Sequence, residues 1–291
     1  MVTVALTGLL AACGSSRAAV TRGAPVLSVV TGLWPLQQAA QEIGQGNVRV
    51  SDVVPAGANP TTYQPSAAQQ PLLAGASLVL LASPALQPGL ARVAPPAHTL
   101  DLFPAAVAGG PDRWLDPNAM RLAATTIAAA LERADPAAKT TFQDGLLNFE
   151  AVLSALDTDF SSYLGTCPNH RIVAVDDAFG ALDARYGLDV IPVNGASPLP
   201  LRPSPADIAR QVRIVRAAGV HTVYDEPWVY QDGLLAMQAQ TGVSIGQLDP
   251  LEGIPPGGFP KGLATYYDEM EQVLGTVSAA LGCPISQSSQ Q

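Results

Sequence analysis

Charge is scarce in this chain: Asp, Glu, Lys and Arg together make up only 13% of its 291 residues, and Lys139 and Lys261 are its only lysines. What charge there is leans one way, with 15 basic against 24 acidic residues and a formal net charge of -9. That deficit argues against a nucleic acid or other polyanion as partner, because phosphate contacts need clustered Lys and Arg. A cation fits the balance better, although most acidic side chains of any domain only face solvent. The excess of Arg over Lys, with abundant Ala and Pro, reflects GC-rich coding and carries no functional meaning. Histidine is equally sparse, at His98, His170 and His221, and each of the three reads as a strand-flank or surface residue.

Long apolar runs are also missing. The run Val2 to Ala12 is too short to cross a bilayer, which takes about 20 residues. It ends in Leu10-Ala11-Ala12-Cys13, followed by Gly14-Ser15-Ser16, which has the form of a bacterial lipobox: small residues precede the cleaved bond, and Cys13 becomes the lipid-bearing N-terminus. No positive residues precede the run, so a start upstream of Met1 or a truncated one is expected; the plain alternative is a buried apolar strand. On the first reading residues 1–13 are a signal peptide and 14–24 a tether. The folded part is then exported and held at the outer face of the cytoplasmic membrane or in a periplasm-like space.

Only Cys167 and Cys283 remain beside Cys13, an even pair suited to an oxidising compartment. A bridge between them would close a loop of over 100 residues, which in the chain-entropy model contributes up to roughly 4–5 kcal/mol. Two separate buried thiols are the open alternative.

With 48% apolar residues the chain is long enough to bury a full core, as one large domain or two lobes. β-Branched apolar runs alternate with helical stretches, the pattern of an α/β protein with parallel sheets. Strands are expected near 26–31, 48–54, 77–81, 172–176, 221–225 and 244–248, and helices near 35–43, 117–133, 207–218, 233–241 and 266–281. Between 136 and 164, Phe142, Leu146, Phe149, Leu153, Leu156, Phe160 and Leu164 recur at three- and four-residue spacing, so one face is apolar throughout. A helix of that length is roughly 40 Å long, the length of a whole domain, so it can run between two lobes.

Four local segments, in order, resemble the metal-binding lipoproteins of cluster A-I ABC transporters, the zinc and manganese receptors. They are Asn59-Pro60-Thr61-Thr62-Tyr63-Gln64-Pro65, Pro111-Asp112-Arg113-Trp114-Leu115-Asp116-Pro117, Asp176-Asp177-Ala178-Phe179-Gly180 leading to Tyr186-Gly187-Leu188, and Asp249-Pro250-Leu251. The resemblance covers about Val26 to Cys283. It implies two α/β lobes with parallel sheets joined by a single long backbone helix, with lobes at 25–134 and 166–285, the helix at 135–165 and a tail at 286–291. It further implies a monomeric receptor rather than an enzyme, which binds a divalent metal between its lobes and delivers it to ABC permease and ATPase subunits, with no nucleic-acid partner.

By the same resemblance the metal positions are Thr61, Asp112, Asp176 and Asp249, with Glu226 of Asp225-Glu226-Pro227 supporting them from outside. The family's imidazoles are replaced at Thr61, Asp112 and Asp176; the His-rich loop the family often carries is missing. Thr61 is a weak neutral donor whose plain alternative is to cap its own loop, and Asp249 has the same alternative. Three carboxylates and a hydroxyl form a hard oxygen set that suits Mn²⁺, Mg²⁺ or Ca²⁺ better than Zn²⁺. Either a cation fills such a site, or Arg113 and its neighbours neutralise it. Two other readings stay open: a metal-free binding or adhesin-like lipoprotein of this fold that recognises a chelate or a protein, and an enzyme using Asp112 and Asp176 as acid and base. The second has neither a nucleophile nor a sugar-binding aromatic cluster beside it.

Overall fold

The computed structural model describes residues 26–104, 112–194, 204–227, 231–259 and 265–283. The leader, Cys13, the tether and the tail expected from the sequence lie outside these.

The first half of the chain runs β1 (Leu27–Thr31), α1 (Trp34–Gly44), β2 (Val48–Asp52), α2 (Gln70–Ala74), β3 (Leu78–Leu81), α3 (Pro88–Val93), β4 (Thr99–Asp101) and α4 (Pro117–Ala134). A long α5 (Lys139–Leu164) follows. The second half runs β5 (Arg171–Ala174), α6 (Gly180–Tyr186), β6 (Asp189–Pro192), α7 (Pro205–Ala218), β7 (Thr222–Asp225), α8 (Gln231–Thr241), β8 (Ser244–Gln247) and α9 (Tyr266–Ala280). Two parallel sheets result, in the orders β2-β1-β3-β4 and β6-β5-β7-β8. The second repeats the strand order of the first. Elements the sequence did not signal, such as β4, β6 and α2, are short or sit at sheet edges, where periodicity has too few residues to register.

Alternation along each strand sorts side chains to two faces. Val30, Val79 and Leu81 join Val53, Leu73 and Leu90 in an outer core under α2 and α3, while Val29, Leu78 and Leu80 face inward. In the second sheet Val173, Val175 and Val223 pack outward with Val212, Val215 and Met237, and Ile172 and Ala174 face inward. The inward faces of both sheets meet in one continuous core with α1, α4, α5 and α9. Burial on both faces is the usual reason that parallel strands read as unbroken apolar runs.

The α5 helix runs the length of that shared core. Its 26 residues make it about 39 Å long, and Phe142, Phe149, Leu153, Leu156, Phe160 and Leu164 bury one stripe. Leu146 packs against the core only partly, and Gly145 takes the fully buried position in that turn. A disulfide joins Cys167, just past α5, to Cys283, just past α9, with Cα atoms 5.1 Å apart. The start of α4 is fixed locally: Asp116 accepts a hydrogen bond from the Asn118 amide at 2.9 Å, and Pro117 occupies the first helical position, as a helix start favours.

At Gly145 α5 packs tightly against the end of α1. A Cβ there would lie 2.5 Å from the Ile43 carbonyl oxygen and 2.7 Å from that of Glu42. Gly145→Ala should therefore destabilise the protein by about 1–3 kcal/mol through overpacking, although alanine is the better helix former by roughly 1 kcal/mol. Urea denaturation measures the sign; a stabilised variant would show that the two helices have room to separate.

Candidate metal centre

Parallel strands deliver their C-terminal ends to one edge of a sheet, and side chains placed there face the same crevice. In the second sheet that edge carries Asp176 after β5, Asp225 and Glu226 at the end of β7, and Asp249 after β8. Asp112 approaches from the other lobe, one residue before the short turn Arg113–Leu115 that leads into α4.

Tight turns set the direction of each group. The Asp176 carboxylate accepts from the Ala178 amide at 3.0 Å, and Asp249 accepts from the Leu251 amide at 2.8 Å. Leu251 has φ +62°, the left-handed region that costs a non-glycine residue roughly 1–2 kcal/mol. That bend reverses the chain so that the Glu252 carbonyl accepts from the Trp34 amide at 3.1 Å, across the seam between the lobes. Two further seam contacts lie beside it: Trp114 Nε1 donates to the Pro250 carbonyl at 2.7 Å, and the Tyr266 hydroxyl donates to the Trp114 carbonyl. The Gly57 amide donates to the Ile254 carbonyl at 2.9 Å, and Trp34 packs on Phe259 with ring centres 4.5 Å apart. The segment from Pro250 to Phe259 is thus strapped to the first lobe, and it presents Glu252 inward.

Asp112, Glu226 and Glu252 are 2%, 6% and 7% exposed, which is rare for carboxylates without partners. Burial is the leading cause that pushes each of them up. Asp112 is raised further by the charges of Glu252, Asp176 and Asp177. Glu226 is raised by its hydrogen bond and charge contact with Asp176, then by Glu252 and Asp112. Glu252 rises to about 8, with Asp176 and Asp249 adding to burial. Among the described residues no donor relieves these three, whereas Asp249, pushed to about 6 by burial, is partly relieved by the Leu251 amide. Asp112 Oδ1 and Glu226 Oε1 are buried with no hydrogen-bond partner among the described residues, a cost of several kcal/mol for a charged form.

The structure thus brings Asp112, Asp176 and Glu226 to one place and adds Glu252, which the sequence reading missed. The available signal was position: Glu252 is the lone acid in the apolar stretch after Asp249, three residues on. Asp249 lies at the margin and also faces Glu269, which is raised to about 7 by burial and by the charges of Asp249 and Asp268. Thr61 turns its hydroxyl back on its own loop, donating to Asn59 Oδ1 at 2.6 Å. No ion pair joins Arg113 to Asp112 among the described residues, so that route to neutralisation is not taken. The three histidines are exposed. Among the described residues, no group of three or more His, Cys, Asp or Glu side chains already stands in metal-holding geometry.

The chain matches the family "Zinc-uptake complex component A periplasmic" (ZnuA) over residues 29–280. It is 23% identical to the high-affinity zinc uptake system protein ZnuA of Bacillus subtilis, over 94% of both chains. It is 27% identical to zinc-binding protein AdcA of Streptococcus pyogenes over 57% of its own length, but that covers only 32% of AdcA. The chain therefore spans about a third of such relatives. Among solved structures, the laminin-binding protein Lmb of Streptococcus agalactiae, described as having adhesin and metal-transporting activity, superposes with a TM-score of 0.76 at 23% identity, over 88% of this chain and 99% of Lmb. The zinc-bound ZnuA-like domain of Streptococcus pneumoniae AdcA gives 0.73 at 21% identity, over 88% and 98%. At these identities the superpositions speak for the fold.

A carboxyl raised by folding contributes its stability below its unfolded value and loses it as pH climbs through the folded one. For Glu252 that window runs from about 4.5 to about 8, and Asp249 and Glu269 act in the same direction. Chelator-stripped protein should therefore melt at progressively lower temperature from pH 4.5 to pH 8, and Glu252→Gln should flatten the slope and melt above wild type at pH 8.5. A flat wild-type profile would contradict the buried cluster.

Proposed function

This chain belongs to the periplasmic zinc-uptake complex component A family, and on that premise we propose that it is an extracytoplasmic receptor that captures a divalent cation at the lobe seam for an ABC permease and its ATPase. The observation that carries the reading is the set of buried carboxylates, Asp112, Glu226 and Glu252 around Asp176, with acceptor oxygens left over and, among the described residues, no basic side chain paired with them. A cation is the ligand that such a set lacks.

The donors on offer are all carboxylate oxygens. On hard–soft grounds they favour Mn²⁺, and Ca²⁺ or Mg²⁺ after it, over Zn²⁺. We assign Asp112, Asp176 and Glu252 as the direct ligands, Glu226 as the group that braces Asp176, and Asp249 as the turn-former that aims Glu252 rather than a ligand in its own right. Thr61 contributes through its loop. Cys13 carries the lipid that keeps the receptor at the membrane, and residues 14–24 tether a monomeric two-lobed body, 25–134 and 166–285, joined by 135–165. Delivery by such a body is binding and release, without turnover.

The lack of a preassembled ligand group among the described residues favours one second reading, a receptor of this fold that recognises a chelate or a protein surface. Dialysis of metal-stripped protein against Mn²⁺, Zn²⁺ or Ca²⁺, followed by elemental analysis, separates the two. We expect one Mn²⁺ retained per chain, with Asp112→Asn and Glu252→Gln each weakening retention by roughly 10–100-fold. If wild type retains no ion, the chelate or protein reading takes its place.

A further inference from the structure

Two amide side chains are buried where the outer core of the second sheet is otherwise aliphatic. Asn194, just after β6, and Gln211, in the middle of α7, are 5% and 2% exposed, among Val173, Val175, Val193, Val212 and Val215. Asn194 is tied to the Val175 carbonyl oxygen, and Gln211 to Asn194. The Val175 carbonyl accepts from the Asn194 backbone amide at 3.1 Å and again from Asn194 Nδ2 at 2.6 Å. Gln211 Nε2 in turn donates to Asn194 Oδ1.

Each amide can sit only one way round. Asn194 must turn its NH₂ to the Val175 carbonyl, so its oxygen faces α7, and Gln211 must then offer its NH₂ and leave its own oxygen behind. That oxygen is buried with no donor among the described residues. As a device for stability this is poor: the Val175 carbonyl already has a backbone donor, and an unpaired buried acceptor costs roughly 1–3 kcal/mol. An apolar pair would pack this position at lower cost, so the chain of amides does something else.

The residue after Val175 is Asp176. A carbonyl gripped by two donors fixes the peptide plane between Val175 and Asp176, and with it the direction in which the Asp176 side chain leaves the strand. On its far side Asp176 accepts from the Ala178 amide and shares a hydrogen bond with Glu226, while the charges of Asp112 and Glu252 press on it. Without a brace behind it, repulsion would turn that peptide away from the cleft. We propose that Gln211 and Asn194 are positioning residues that hold Asp176 toward the cation through the Val175 carbonyl. The inference rests on the receptor reading given above.

Gln211→Met keeps the volume and removes the hydrogen bond, and it also removes the unpaired oxygen. The whole chain with this change should melt within a few degrees of wild type when stripped of metal, yet bind Mn²⁺ roughly 10-fold or more weakly, the loss typical of groups that orient a ligand. Asn194→Ala should weaken Mn²⁺ binding by at least as much, and serves if the first variant does not fold. Neither change should weaken binding further once Asp176→Ala is present, whereas a general loosening of the fold would add to it. Equal Mn²⁺ affinity in wild type and both variants, with Asp176→Ala impaired, overturns the relay and leaves the receptor standing. Full additivity with Asp176→Ala also overturns it. A wild type that binds no Mn²⁺, Zn²⁺ or Ca²⁺ removes the receptor reading and the relay together.

Discussion

The apolar core wrapped around α5 is the constraint on which everything else depends. Phe142, Phe149, Leu153, Leu156 and Phe160 belong to one buried core with the inward faces of both sheets, and Cys167 and Cys283 staple the far ends of α5 and α9. Two lobes that share one core cannot swing apart as two lobes on a flexible linker do, because opening them would expose that core. The seam is fastened again by the strap from Pro250 to Phe259, through Trp34, Gly57 and Trp114. The cleft is therefore a fixed place, and carboxylates delivered to it by strand ends must stay there together.

That confinement explains the electrostatics. Asp112, Glu226 and Glu252 are dry, close to one another and to Asp176, and no lysine or arginine pairs with them among the described residues. Elsewhere the chain does pair its charges: Arg185 spans Asp157 at 2.6 Å and Asp116 at 3.8 Å. The contrast between a neutralised network outside and a bare one inside is what supports the proposed cation receptor. Burial and mutual charge raise the carboxyls of Asp112, Glu226 and Glu252 together, which favours their protonated forms.

The fold was legible in the sequence because its signals are repetitive: buried strands such as Leu78–Leu81, the long stripe from Phe142 to Leu164, and Asp116-Pro117 opening α4. The site was only partly legible. Asp112, Asp176 and Glu226 stand out in the sequence by the words around them, and the structure brings these three carboxylates together. Glu252 escaped because its position depends on the left-handed bend at Leu251, a conformation nothing in the residue type foretells. Thr61 was placed on a ligand position by its loop, and only three-dimensional contact shows its hydroxyl spent on Asn59. The Asn194 and Gln211 pair is 17 residues apart in sequence and invisible without the sheet that brings it beneath Asp176.

The account turns on buried carboxyls that hold protons until a cation takes their place. Titration calorimetry of the metal-stripped protein with Mn²⁺ at pH 7, in buffers of different ionisation enthalpy, counts the protons released on binding. The account predicts one ion bound and about one proton or more released per ion, with the count falling as pH rises past the value of about 8 held by Glu252. Binding with no proton release at pH 7, or no binding at all, would contradict it.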